Sequence, residues 1–210
     1  MHDTLAALHA DTYNSLADEY ESRVETYRSV TTHSLLPFIG ALQPDAKVLD
    51  IGCAVGYVVE ILRSHGLDAE GIDIAEAMIA YATKRNPGVR FIVGDFLKAD
   101  YKTAEFDAAV LYAFLHLFPK EIAVQCIEKI LTITKHDGVI FIGTTKSDVS
   151  SEGYEEKADY DTQAQRFRKR WTKQELETLF YDHALRVVNY EENTDEFGKV
   201  WMDFVVQKTN

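Results

Sequence analysis

The sequence predicts a doubly wound α/β domain, a seven-stranded and mostly parallel sheet closed by an antiparallel C-terminal hairpin, with N-terminal cap helices. Three observations predict it. Short apolar, β-branched runs alternate with helical stretches of roughly ten to fourteen residues, the pattern of βαβ units with helices on both faces. The first such run, KVLDI, passes into a loop of small residues, Gly52-Cys53-Ala54-Val55-Gly56, and then into a helix. The last two apolar runs have only a short polar segment between them and so read as an appended hairpin.

Composition fits one such domain. The chain has 210 residues, long enough to bury most of its apolar surface, and neither an internal repeat nor a second domain is visible. Hydrophobic residues at 46% and charged residues at 27% are ordinary for a globular protein. Lys and Arg number 22 against 34 Asp and Glu, a net charge of -12. Such a field repels phosphate backbones, so no nucleic-acid partner is expected. There is no N-terminal signal pattern and no apolar run of about eighteen residues, so no membrane is expected either. Cys53 and Cys126 form neither a disulfide framework nor a zinc cluster; no metal and a cytoplasmic setting are expected.

The elements follow in order. Residues 4–28 read as a helix in which Tyr13, Tyr20 and Tyr27 recur every seven residues and share a face, either docking the segment or capping a pocket. A second helix covers Thr32–Leu42, so residues 1–43 form a helical cap. Residues 47–144 form the core. Val48, Leu49 and Ile51 make the first strand, with Asp50 inside it. Helix Tyr57–Ser64 stops at His65-Gly66. Strand Ala69–Ile74, helix Ala75–Arg85 and strand Val89–Val93 come next, and Gly94-Asp95-Phe96 leaves that strand. Strand Phe106–Leu111, helix Pro119–Thr132 and strand Val139–Thr144 complete the core. Residues 146–171 are polar with little periodicity and read as a substrate loop or lid. In 172–210, Thr172 and Glu175 form a capping box for helix Lys173–Tyr181, and strands Leu185–Glu191 and Lys199–Gln207 make the hairpin.

The glycine loop is expected to let backbone N–H groups approach a nucleotide-like ligand. A dinucleotide site needs G-x-G-x-x-G, and here those positions are Gly52, Ala54 and Tyr57, so two of three fail. Asp50 at the mouth would repel a pyrophosphate but suits a ligand with a positive group. That favours S-adenosylmethionine, which carries an ammonium and a sulfonium, over NAD.

Four segments carry a wider likeness: VLDIGCAVGY, GIDIAEAMI, GDF and AAVLYAFLHLF. Through them nearly the whole chain resembles the class I S-adenosylmethionine-dependent methyltransferases. The resemblance implies a Rossmann-like fold, S-adenosylmethionine as cofactor and S-adenosylhomocysteine as product. It implies Asp50 near the ammonium, backbone contacts from Gly52, Cys53, Ala54 and Gly56, and Asp73 on the ribose hydroxyls. Ile74 and Met78 would pack on the adenine, with Asp95 accepting from its amino group and Phe96 against the ring. Tyr20 and Leu111 are further cofactor-side candidates. Ala54 stands where glycine is more usual.

Methyl transfer is an in-line displacement, so the protein mainly positions the acceptor and excludes water. An alcohol or ammonium acceptor must also lose a proton, and His116, after the fourth strand, is the candidate base. Tyr13 and Tyr112 are expected at the acceptor. The C-terminal third resembles a subgroup of small methyltransferases, which implies Lys146, Arg166, Arg168, Lys169 and Arg170 toward an anionic group, and Trp171, with Tyr154, Tyr160 and Phe167, as a wall. The other histidines look unremarkable. The chain has no Asn/Asp-Pro-Pro-Tyr after the fourth strand and no Pro-Cys nucleophile, so a small-molecule oxygen or nitrogen acceptor is the expectation. The alternatives are a catalytically silent S-adenosylmethionine-binding sensor or assembly protein, and a methyltransferase acting on protein or RNA. The sequence leaves the oligomeric state open.

Overall fold

A computed structural model describes residues 2–157 and 164–209. Its main sheet has seven strands. These are β1 (Lys47–Ile51), β2 (Asp68–Asp73), β3 (Phe91–Val93), β4 (Phe106–Tyr112), β5 (Thr134–Thr145), β8 (Leu185–Thr194) and β9 (Val200–Lys208). Their order is β3-β2-β1-β4-β5-β9-β8. The first five are parallel, whereas β9 runs antiparallel to β5 and β8 antiparallel to β9. This is the predicted architecture, and the apolar runs of β1, β4 and β5 are buried on both faces, as a covered parallel sheet requires.

The chain runs from β1 to β2 on one side and returns to place β4 on the other. The loops after β1 and β4 therefore diverge and open a crevice at the strands' C-terminal ends. Helices α4 (Tyr57–Ser64), α5 (Glu76–Arg85), α6 (Lys120–Ile133) and α7 (Lys173–Asp182) cover the sheet. One core layer gathers Leu49, Ile51, Phe106, Ile127, Trp171 and Phe204; the other gathers Val48, Phe38, Val59, Leu62 and Phe141. The predicted capping box is present: Thr172 accepts from the Glu175 N–H at 3.2 Å and Glu175 accepts from the Thr172 N–H at 3.0 Å.

Two regions differ from the sequence expectation. The N-terminal cap is three helices, α1 (His2–Ser15), α2 (Ala17–Ser22) and α3 (Val24–Gly40), with breaks at Leu16 and Arg23. The break between the two expected helices is absent, because α3 runs through residues 29–31. The polar stretch after Lys146 is not a plain loop. It contains an antiparallel pair, β6 (Ser151–Glu156) and β7 (Gln165–Arg170), separate from the main sheet. Its alternation was hidden because both faces of β7 are basic. Phe167 and Lys169 turn inward, and Lys169 is buried only because its Nζ reaches Glu175 at 3.0 Å and Ser150 at 2.6 Å. No helix among the described residues is long and apolar enough to cross a membrane.

Candidate active site

The loop after β1 is shaped by its two glycines. Gly52 has φ +75°, and a Cβ there would meet the Phe114 ring at 2.6 Å. Gly56 also has φ +75°, and its Cβ would meet the Ala82 Cβ at 2.7 Å, so this glycine lets α5 pack on the loop. Asn86 fastens the same contact, donating to the Gly56 carbonyl at 3.0 Å. Ala54 adopts φ +45°, a left-handed conformation that an alanine holds under strain.

The loop's N–H groups do not point at a ligand, contrary to the sequence expectation. Gly52 and Cys53 both donate to the Ile72 carbonyl, at 2.8 and 3.0 Å. Ala54 donates to Asp73 Oδ2 at 2.9 Å, and Gly56 to the Cys53 carbonyl at 2.9 Å. The loop lacks the open N–H cradle that a pyrophosphate needs. It leaves two acids, Asp50 and Asp73, lining the crevice.

Those acids are distinctive. Asp50 is 2% exposed, and its Oδ2 is buried with no hydrogen-bond partner. Burial, and then the Asp73 charge, raise its pKa well above the carboxylate range. Asp73 caps the turn into α5, its Oδ1 accepting from the Ala75 N–H at 2.9 Å while Oδ2 holds Ala54. Burial raises its pKa as well, against three backbone N–H groups that lower it. At the end of β3, Asp95 Oδ1 accepts from the Leu97 N–H at 3.0 Å. Its Oδ2 is buried without a hydrogen bond, with His2 Nε2 at 3.5 Å.

A cavity of about 190 Å³ runs from these acids to the acceptor end of the crevice. Tyr20, Asp50, Gly52, Cys53, Ala54, Asp73, Ile74, Asp95 and Phe96 line it on the cofactor side. Tyr13, Tyr112, His116, Arg166 and Arg168 line its other end. The three heptad tyrosines all reach it, although they stand on three helices, and Tyr13 and Tyr20 pack edge to face at 5.9 Å.

Several expected residues stand outside the cavity. Gly56 is occupied by packing, Leu111 lies in the sheet core and Met78 is buried beneath Tyr20. Lys146 pairs with Glu192 at 2.9 Å, away from the cavity. Trp171 is fully buried in the core, donating toward the Leu115 carbonyl at 3.4 Å. Neither Tyr154 nor Phe167 is a wall residue; they pack on each other at 5.4 Å across the β6–β7 pair. Tyr160 lies outside the described residues.

His116 sits on a 3-10 turn, Leu115–Leu117, and is 3% exposed. Its Nδ1 and Thr144 Oγ1 are 3.0 Å apart. Burial first, and then Arg168, Arg166, Lys157 and Lys199, hold its pKa well below the usual imidazole value, so it is neutral near pH 7.

Several lining residues escaped the sequence reading. His9, passed over as unremarkable, is buried against Phe118 and Tyr13, and burial lowers its pKa to about 4. Lys157, just after β6, and Lys199, just before β9, bring charge, and Trp201 stacks on Tyr112 at 5.1 Å and 10°. Asp195 is also present, receiving the N–H groups of Phe197 and Lys199 at 2.9 Å and Trp201 Nε1–H at 3.0 Å. The sequence placed Lys199 and Trp201 only in the last strand of the C-terminal hairpin.

Residues 48–138 match the family described as a methyltransferase domain. An uncharacterized methyltransferase of Oceanobacillus iheyensis is 28% identical over 141 residues, 67% of this chain. That match spans 63% of the relative's own length, less than two thirds of it. Two solved structures share the fold. The 1,6-didemethyltoxoflavin-N1-methyltransferase of Burkholderia thailandensis has a TM-score of 0.68 and 20% identity, covering 93% of this chain and 88% of that one. The magnesium protoporphyrin IX methyltransferase of Synechocystis has a TM-score of 0.73 and 15% identity, covering 97% of each chain. Residues 48–138 thus match a methyltransferase domain through the glycine loop and the three strands that follow it, and the chain shares the fold of these two methyltransferases.

Proposed function

We propose that the protein transfers a methyl group from S-adenosylmethionine to an oxygen or nitrogen of a small-molecule acceptor. The observation that carries this reading is the orphaned Oδ2 of Asp50, buried beside the glycine loop. A buried carboxylate without a partner is costly, and an ammonium group in the crevice would satisfy it. Asp73 keeps free lone pairs for hydroxyls, and Asp95 Oδ2 awaits a donor such as an exocyclic amine. Bound there, S-adenosylmethionine supplies a methyl carbon already activated by its sulfonium. The fold-mates from Burkholderia and Synechocystis are described with S-adenosylhomocysteine and S-adenosylmethionine bound, respectively.

The chain's own task is then positioning, dehydration and one proton. Tyr13, Tyr112 and Trp201 wall the acceptor end and exclude water. His116 is neutral, and in the tautomer whose Nδ1–H donates to Thr144 Oγ1 its Nε2 takes the acceptor's proton. A cavity of about 190 Å³ and a net charge of -12 favour a small molecule over RNA. Two free, buried cysteines suit a reducing cytoplasm.

The test is release of S-adenosylhomocysteine from metabolite pools by wild type and His116→Gln. At saturating cofactor the variant should turn over about 100-fold or more slowly, with the acid limb of its pH profile gone. Equal rates and profiles would return His116 to a structural role. A second reading, a silent cofactor-binding protein, draws support from the four cations that disfavour protonation of His116. Tight S-adenosylmethionine binding with no turnover in any pool would favour it.

A further inference from the structure

Strand β7 alternates, so Arg166, Arg168 and Arg170 project from one face while Phe167 and Lys169 project from the other. The outer two arginines share one acid: Glu155 takes Arg166 at 3.1 Å and Arg170 at 2.6 Å. Arg168, between them, has no carboxylate within 4.0 Å among the described residues and contacts the Thr145 hydroxyl instead. It is half-buried, lines the main cavity, and also lines a smaller recess with Thr145, Arg166, Arg170 and Lys199.

Two acids that line these cavities are already engaged. Glu155 serves the two flanking arginines, and Asp195 is held by two backbone N–H groups and Trp201. A guanidinium withdrawn from water without a counterion is unfavourable, and its planar fork matches a two-oxygen anion.

We propose that Arg168 is the binding residue for an oxyanion on the acceptor, a carboxylate or a phosphate, which seats the acceptor between the β6–β7 pair and His116. This inference rests on the methyl-transfer reading and names its substrate class. The anion lies where the smaller recess meets the main cavity, so the rest of the acceptor extends past His116 toward the cofactor end. Its charge also offsets part of the positive field of Arg166, Arg168, Lys157 and Lys199 around His116. Proton acceptance by His116 is thereby favoured only when the acceptor is in place.

The experiment is calorimetry on the S-adenosylhomocysteine-saturated protein with benzoate, 4-hydroxybenzoate, anthranilate and phenyl phosphate, and with phenol and aniline as neutral counterparts. At least one anionic probe should bind saturably and one to one, with the benzoate and phenyl phosphate arms telling carboxylate from phosphate. Phenol and aniline should bind at least about tenfold more weakly, the scale of one charged hydrogen bond. Arg168→Gln should weaken the anion about tenfold or more, and Arg168→Lys, which keeps charge but not the fork, should fall between. Circular dichroism and retained S-adenosylhomocysteine binding report that each variant is folded. The proposal is overturned if S-adenosylhomocysteine binds but no anionic probe does. Neutral probes binding equally well, or equal anion affinity in folded Arg168→Gln or Arg168→Lys, also overturns it. Failure of the wild type to bind S-adenosylhomocysteine overturns the cofactor reading itself, and is seen before any probe is added.

Discussion

At Asp50 two requirements compete: the strand buries the side chain, and the crevice calls for a negative charge. Burial and Asp73 raise its pKa, so in the free protein it keeps a proton to higher pH than an ordinary carboxylate. A cationic ligand favours the charged form and lowers that pKa. Binding below the raised pKa therefore releases a proton, and affinity climbs with pH until Asp50 is ionised in the free protein. Calorimetry of S-adenosylmethionine binding in buffers of different ionisation enthalpy should record that proton. Asp50→Asn should lose it together with about 1.5–3 kcal/mol of binding, the range of a charged hydrogen bond. A heat independent of buffer would remove Asp50 from the ammonium.

Among the elements, the β1–α4 junction is held by packing as much as by any ligand. Gly56→Ala combines left-handed strain with a clash at the Ala82 Cβ (2.7 Å) and Cα (2.9 Å), so α5 must move away. The expected loss is about 2–4 kcal/mol, read as a lower urea midpoint. Gly66→Ala is the matched comparison, with φ +83° and nothing within 4 Å; it should lose only the strain, about 1–2 kcal/mol. Equal losses at the two sites would mean that the α5 contact contributes little. The same junction marks how far the sequence could be read. KVLDI and the small-residue loop announced a strand, a turn and a ligand crevice, because apolar period and glycine chemistry are local. That the N–H groups of Gly52, Cys53 and Ala54 close on Ile72 and Asp73 depends on the neighbouring strand, and no local pattern carries it. The β6–β7 pair was missed for a similar reason, since Lys169 is made buriable by Glu175 on another element.

Across the whole molecule, the cap helices tie distant parts of the cavity together. Thr12 Oγ1 donates to the Gln165 carbonyl at 2.6 Å, Asn14 accepts from the Ala77 N–H at 2.9 Å, and Tyr81 donates to Asp18 at 2.7 Å. Arg85 reaches Glu21 at 2.6 Å. None of the seven sheet strands lies in this cap. Removing residues 2–22 should leave the sheet's circular dichroism in place and weaken S-adenosylhomocysteine binding about tenfold or more, since burial of Tyr20 alone is worth about 1.5–3 kcal/mol. Unchanged affinity would show the cap to be only a docked segment. The sequence carried the shared face of Tyr13, Tyr20 and Tyr27 but not the breaks at Leu16 and Arg23, which bend that face around the crevice. The basic cluster was equally hard to see. Lys157, Arg168 and Lys199 lie far apart in the chain and meet only when β7 and the β8–β9 turn come together.

The β6–β7 pair is joined to the end of β5 by the parallel bridge of Lys146 with Trp171 and by the contact of Arg168 with the Thr145 hydroxyl. The glycine loop and the three acids at the cofactor end follow or lie on β1 to β3, whereas the arginines sit on a ribbon outside that ladder. The molecule is thus divided like a tool with a fixed handle and an exchangeable bit. On the proposal that Arg168 seats the acceptor, point changes at the cavity-lining positions 166 and 168 would redraw what the crevice accepts without reopening the hydrogen-bond ladder of the main sheet, and grafting that ribbon between relatives would test it.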